Sequence, residues 1–167
     1  TDYDKTGRVG LNFGKIESIK AVKTETGAVV SWSALVGAEK YEVYRKASTS
    51  AEWQKLATVT AASYTDNSLS SGIEYSYKVK AISGKYSADI SCAPATVKYL
   101  AAPVATASNV NDGIEISFPV VGGAEKYIIE RKTANGDFEV IAEIDGEEES
   151  YLDENVVAGT QYTYRLQ

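Results

Sequence analysis

The chain has 167 residues, 44% of them apolar and 24% charged, with twelve tyrosines, three prolines, one cysteine and neither methionine nor histidine. That is the composition of a folded globular protein, and the tyrosines among Val/Ile/Thr-rich runs favour β structure, because such side chains suit a pleated, half-buried surface. Without histidine a Ser-His-Asp triad, a Cys-His pair and a His-based zinc site are excluded, and no apolar run approaches the roughly 18 residues that span a bilayer.

The net charge of −6 is unevenly spread: residues 1–99 carry 13 Lys/Arg against 10 Asp/Glu, and residues 100–167 carry 4 against 13. An acidic chain without a basic stripe is a poor partner for nucleic acid or an anionic membrane.

In chain order, Val9-Gly10-Leu11-Asn12-Phe13 alternates apolar and polar. It reads either as the last strand of a preceding module or as a strand lent to a neighbouring copy. Strands are then predicted over 16–23, 28–34, 40–46, 54–59, 63–66, 73–82 and 89–98. Ala28, Val30 and Trp32 share one face, Tyr41 and Val43 point inward, and Tyr75 to Ala81 alternates with Lys78 and Lys80 on the wet side. Thr26-Gly27, Ser48-Thr49-Ser50, Asp66-Asn67-Ser68, Ser71-Gly72 and Ser83-Gly84 are turn signals between them. Cys92 falls in the last of these strands and is read as a buried structural thiol. A second series covers 104–109, 113–119, 126–132, 138–144, 150–153 and 160–167, with Ile114, Ile116 and Phe118 on one face and Tyr127 and Ile129 inward. No helix longer than a turn is predicted.

The two series are copies. Gly37-Ala38-Glu39-Lys40-Tyr41 recurs as Gly123-Ala124-Glu125-Lys126-Tyr127, 86 residues on, and Gly27, Trp32 and Arg45-Lys46 find Gly113, Phe118 and Arg131-Lys132 at the same offset. Tyr64, Asp66, Gly72, Tyr75 and Tyr77 match Tyr151, Asp153, Gly159, Tyr162 and Tyr164 at an offset of 87, one loop being longer by a residue. This period suits one small sandwich domain and is too long for a solenoid repeat. The expected organisation is an N-terminal segment 1–14, a first domain 15–99 and a second 100–167. Tyr99-Leu100-Ala101-Ala102-Pro103 between them, lacking glycine and serine, is expected to be short and stiff. The fold class is all-β, two tandem seven-stranded immunoglobulin-like sandwiches. The second stops at Gln167 without its last strand, so the chain is expected to be part of a longer protein.

These residues resemble the fibronectin type III family across nearly all of 15–167. Trp32 lies where the family's core tryptophan lies, with Phe118 in its place in the second copy. Ser71-Gly72-Ile73-Glu74-Tyr75 and Ala158-Gly159-Thr160-Gln161-Tyr162 look like the family's turn into the sixth strand. There Tyr75 and Tyr162 would be tyrosine-corner residues, each hydroxyl bonding back to upstream backbone. Ala38 to Lys46, Lys55 to Val59 and Tyr75 to Ala81 look like the bacterial branch, found in secreted and wall-attached proteins. The resemblance implies an extracellular or cell-surface setting.

Trp32, Tyr41, Tyr75, Phe118, Tyr127 and Tyr162 are the expected structural core. Trp53 is the candidate for ligand binding, since an exposed tryptophan can stack on a sugar ring. Its recurrence as Phe138 argues for packing instead. The run Asp145-Gly146-Glu147-Glu148-Glu149, with Asp153-Glu154, lacks the spacing of a dedicated calcium loop and reads as a solvated acidic turn. Tyr3, Tyr44, Tyr86 and Tyr99 are candidates for exposed tyrosines. No catalytic residue, metal site or cofactor is expected, and the chain is not expected to be an enzyme. The expected function is a semi-rigid spacer and interaction segment of a larger bacterial surface or secreted protein. One alternative is a module binding polysaccharide or a host protein; another is an accessory domain on a polysaccharide-degrading or cell-wall enzyme. Partners are adjacent domains of the parent and, in the binding alternative, polysaccharide or a cell-surface protein.

Overall fold

The computed structural model describes Asp2–Tyr3, Val9–Gly10 and all of 14–167. Among these residues there are sixteen strands and no helix. Asp2–Tyr3 (β1) and Val9–Gly10 (β2) pair antiparallel with each other, Asp2 opposite Gly10. The reading of 9–13 as a lent strand also involves Leu11, Asn12 and Phe13, which lie outside the described residues.

From residue 14 the chain divides into two compact units, with the main boundary between Tyr99 and Leu100. In the first, Ile19–Lys23 (β3), Ala28–Trp32 (β4) and Ser63–Asp66 (β7) form a sheet in the order β3-β4-β7. The facing sheet is built from Lys40–Ala47 (β5), Gln54–Val59 (β6), Glu74–Ser83 (β8), Tyr86–Ala88 (β9) and Ala95–Lys98 (β10), in the order β10-β8-β5-β6. All pairings within both sheets are antiparallel. Period-two burial runs along β8, where Tyr75, Tyr77, Val79 and Ala81 are buried and the residues between them are not. An antiparallel sheet with one wet face requires that alternation.

The expected seventh strand, 89–98, is broken. β9 pairs with Ala81–Ser83 and β10 with Glu74–Tyr77, on the edge of β8 that β5 leaves open. Between them Ile90 makes a parallel bridge to Ile16, and Ser91 and Cys92 lie in a bend. Pro94 has no N–H to give a ladder, and pairing resumes at Ala95. Cys92 is therefore a half-buried bend residue and not a buried strand residue.

In the second unit, Thr106–Val110 (β11), Gly113–Ser117 (β12) and Ser150–Asp153 (β15) form the sheet β11-β12-β15. Lys126–Thr133 (β13), Glu139–Asp145 (β14) and Tyr162–Leu166 (β16) form the sheet β14-β13-β16. β5 and β13 both shift register by a residue against their neighbours β6 and β14, after Val43 and after Ile129.

Each core is centred on an aromatic pair. Trp32 meets the Tyr41 ring edge-on at 5.4 Å, and Phe118 meets Tyr127 at 4.8 Å, a geometry that aligns ring edge with ring face. Both tyrosine hydroxyls accept a backbone N–H, from Leu35 at 2.9 Å and from Val121 at 2.7 Å. Around Trp32 and Tyr41 the first core adds Ile16, Val30, Val43, Tyr75, Tyr77, Val79 and Ala81. The second is smaller, with Ile116, Phe118 and Tyr127 buried and Tyr164 and Leu166 packed against them half-buried.

Candidate functional site

Of the six residues expected in the cores, Trp32, Tyr41, Tyr75, Phe118 and Tyr127 are buried. Tyr162 departs from the expectation: it is half-buried, and its hydroxyl accepts the Val157 N–H at 3.1 Å. The difference has a local cause. In the first unit Val97 of β10 lies opposite Tyr75, whereas among the described residues β16 pairs only with β13. A hollow of about 250 Å³ opens beside β16, lined in part by Tyr162, Tyr164 and Leu166.

Sequence reasoning did not single out the most connected polar cluster. Asp66 ends β7 with 1% of its surface exposed. It accepts hydrogen bonds from Arg45 Nη1 at 2.8 Å, Tyr77 Oη at 2.8 Å, and the Ser68 N–H and hydroxyl at 3.0 and 2.7 Å. Arg45 also lies over the Tyr75 ring at 5.0 Å. The second unit repeats the arrangement: Asp153 accepts from Arg131 at 2.7 Å, Tyr164 Oη at 2.8 Å and the Asn155 N–H at 3.1 Å, and Arg131 lies over Tyr162 at 4.9 Å.

Burial opposes ionisation of Asp66, but the donors of Ser68, Tyr77 and Arg45 outweigh it and hold the carboxyl below its ordinary range. Burial and the hydrogen bond to Asp66 push the Tyr77 phenol far up, and burial with Asp153 does the same to Tyr164. A carboxylate whose oxygens are filled by four donors has no lone pair to spare as a base, and a phenol held protonated is no nucleophile. Each cluster is a clamp between the two sheets. The signal for it was in the pattern: Arg45 shares its strand face with Tyr41 and Val43, and Arg131 with Tyr127 and Ile129. An inward arginine needs a buried partner.

Trp53 immediately precedes β6 and is half-buried. Lys46 Nζ lies 5.3 Å and Lys78 Nζ 4.8 Å from its ring centroid, and Lys78 is also 5.5 Å from the Tyr44 ring. Phe138, before β14, stands likewise beside Lys132 at 4.9 Å and Arg165 at 4.4 Å. Of the other tyrosines considered, Tyr86 is 51% exposed, whereas Tyr99 is buried and donates to the Glu25 carbonyl at 3.2 Å. The Tyr3 side chain lies outside the description.

In the acidic run, Asp145 Oδ1 accepts the Glu147 N–H at 3.0 Å, and Glu147, Glu148 and Glu149 are exposed. Among the described residues no three acidic, cysteine or histidine side chains gather as a cation site. A hollow of about 360 Å³ around Asn109, Asp112, Glu154 and Tyr162 and another of about 330 Å³ around Leu35 bring together polar loops and no nucleophile–base pair.

Two three- to five-stranded antiparallel sheets per unit, in this order, make the fold that of a tandem pair of fibronectin type III domains. The two-domain fibronectin type III segment of chicken tenascin superposes with a TM-score of 0.51 at 17% identity, covering 92% of this chain and 90% of that one. In sequence, 61 residues are 44% identical to Chitinase 63 of Streptomyces plicatus, covering 35% of this chain and 9% of the enzyme. A stretch of 59 residues is 41% identical to the poly(3-hydroxybutyrate) depolymerase of Ralstonia pickettii, covering 35% of this chain and 11% of the enzyme. The chain thus spans about a tenth of the length of these relatives. No family model matches it.

Proposed function

We propose that the chain is a non-catalytic tandem module of a bacterial extracellular protein, serving as a semi-rigid spacer and accessory segment beside a polymer-degrading catalytic unit. The observation that carries this reading is the similarity, above 40% identity, to a short stretch of two kinds of bacterial enzyme that act on different polymers, a chitinase and a poly(3-hydroxybutyrate) depolymerase. A segment shared by enzymes of unlike chemistry serves something other than the chemistry. The filled core of the first unit and the carboxylate clamp between the sheets of each unit agree with it. A spacer needs interiors that keep their shape and a connection without a long coil, and Tyr99 to Pro103 has neither glycine nor serine.

The test replaces both units in the parent enzyme by a flexible Gly/Ser linker of equal residue number. Turnover of a soluble oligomer should be unchanged, and attack on the solid polymer should fall several-fold, because a coil fixes neither distance nor direction. Hydrolysis of either polymer by the isolated chain, or unchanged attack on the solid by the linker variant, would defeat the proposal.

A further inference from the structure

The two units carry the same cation–aromatic arrangement on the outer face of the β5–β8 and β13–β16 pairs, but they neutralise it differently. In the second unit Glu130 grips Arg165, with Nη2 to Oε1 at 2.8 Å, and Gln167 Nε2 donates to the same carboxylate at 2.8 Å. Glu130 and Arg165 are opposed across the ladder, so the carboxylate is held against the guanidinium that lies over Phe138. In the first unit the equivalent opposed pair is Tyr44 and Lys78. Tyr44 stands 86 residues before Glu130, and Lys78 stands 87 before Arg165. The carboxylate has been replaced by a phenol, whose hydroxyl turns to Glu42 Oε2 at 2.7 Å.

Glu42 is itself engaged by Lys55 and by that phenol, which hold its carboxyl below the ordinary range. Asp89, whose charge also reaches Tyr44, is exposed. Among the described residues neither Lys46 nor Lys78 has an ion pair, and both are half-buried against Trp53. Two partly desolvated ammonium groups converging on one indole, with no ion pair of their own, favour an anion from outside.

We propose that Tyr44, Lys46, Trp53 and Lys78 form a binding site for a carboxylate-bearing polysaccharide, whose acid group supplies the negative charge that Glu130 supplies in the second unit. A sugar acid suits the site better than a free anion does. The carboxylate would meet the ammonium groups while the ring's C–H face packs on the flanking Tyr44 and Trp53. Lys80, two residues along β8 on the same face, lies opposite Glu42 and its charge already acts on that carboxylate, so the site is confined to Lys46 and Lys78. This role adds to spacing and does not depend on it: the site can fail while the linker experiment succeeds, and the reverse.

The probe is polygalacturonate, with hydroxyethylcellulose as neutral control and polyglutamate as a peptide polyanion, measured by affinity electrophoresis and titration calorimetry on the whole chain at low and high salt. The chain should bind polygalacturonate in a salt-weakened manner and ignore hydroxyethylcellulose. Lys46→Gln and Lys78→Gln should each weaken binding about tenfold, the worth of a hydrogen bond to a charged group. Trp53→Ala should weaken it, and Lys132→Gln, at the matching place in the second unit, should not. The decisive comparison is Tyr44→Glu with Tyr44→Gln: both remove the ring and no cation, but only Tyr44→Glu supplies an internal carboxylate, so it should abolish binding where Tyr44→Gln only weakens it. Far-UV circular dichroism of each variant separates loss of the site from loss of the fold. Absence of binding at low salt, unchanged binding by folded Tyr44→Glu, or equal binding of polyglutamate that survives Trp53→Ala would each overturn the proposal.

Discussion

At the scale of single residues, the chain depends on a carboxylate that hydrophobic patterning alone would exclude. Asp66 is fully buried and ionised, and removing one member of such a group leaves the others uncompensated. Asp66→Ala strands Arg45 and should cost about 3–5 kcal/mol. Tyr77→Phe deletes one of four donors and should cost about 1–3 kcal/mol. Both are read from the urea midpoint followed by tryptophan fluorescence, and a shift within error for Asp66→Ala would mean that the clamp is decorative.

The same residues set the pH limits. The folded-state value of Asp66 lies below its unfolded value, so its contribution is complete above the unfolded value near pH 4 and is lost as pH falls through the folded one. Tyr77 is raised above its unfolded value near pH 10, so its contribution is complete below that and is lost as pH climbs. Stability against urea should therefore be flat through neutrality and decline at both extremes. Tyr77→Phe should flatten the alkaline limb of the first unit; an unaltered limb would assign that decline to other groups.

At the scale of elements, register rests on close approach. Gly27 precedes β4 and Gly113 opens β12, and a Cβ on either would lie 1.9 Å from the Asp66 carbonyl oxygen or 2.2 Å from that of Asp153. Neither oxygen can retreat without unseating the clamp on the same residue. Gly27→Ala and Gly113→Ala should each destabilise by more than the about 1–3 kcal/mol of an ordinary overpacked site, measured by thermal denaturation. A change below about 1 kcal/mol would show that the strands can slide.

Alternation made β4, β5, β8, β12 and β13 legible in the sequence, and the offset of 86 made their equivalence legible. The break between β9 and β10 was hidden because Ile90 and Cys92 alternate up to Pro94 and Ala95 and Val97 alternate beyond it, one residue out of phase, while Pro94 interrupts the backbone ladder. The half-buried state of Tyr162 was hidden because exposure depends on a neighbouring strand and not on the residue's own pattern. The cation platform at Trp53 was legible only as an aromatic. Its charge follows from which residues the β5–β8 register sets side by side.

At the scale of the whole molecule, two copies of one design have unequal interiors. The buried cluster of the first unit has nine apolar side chains, Trp32 among them, and that of the second has three, Phe118 among them. Since burial of apolar surface is the main favourable term in folding, the second unit should be the weaker. The net negative charge of residues 100–167 adds repulsion that the first unit lacks. Both tryptophans, Trp32 and Trp53, belong to the first unit, so fluorescence reports that unit alone, while far-UV circular dichroism sees both. Urea should then produce a dichroism change that begins before any change in tryptophan emission, and added salt, by screening the acidic residues, should narrow the gap between the two curves. Coincident curves at every salt concentration would mean that the units unfold as one, and the argument from separate cores would fall with that result.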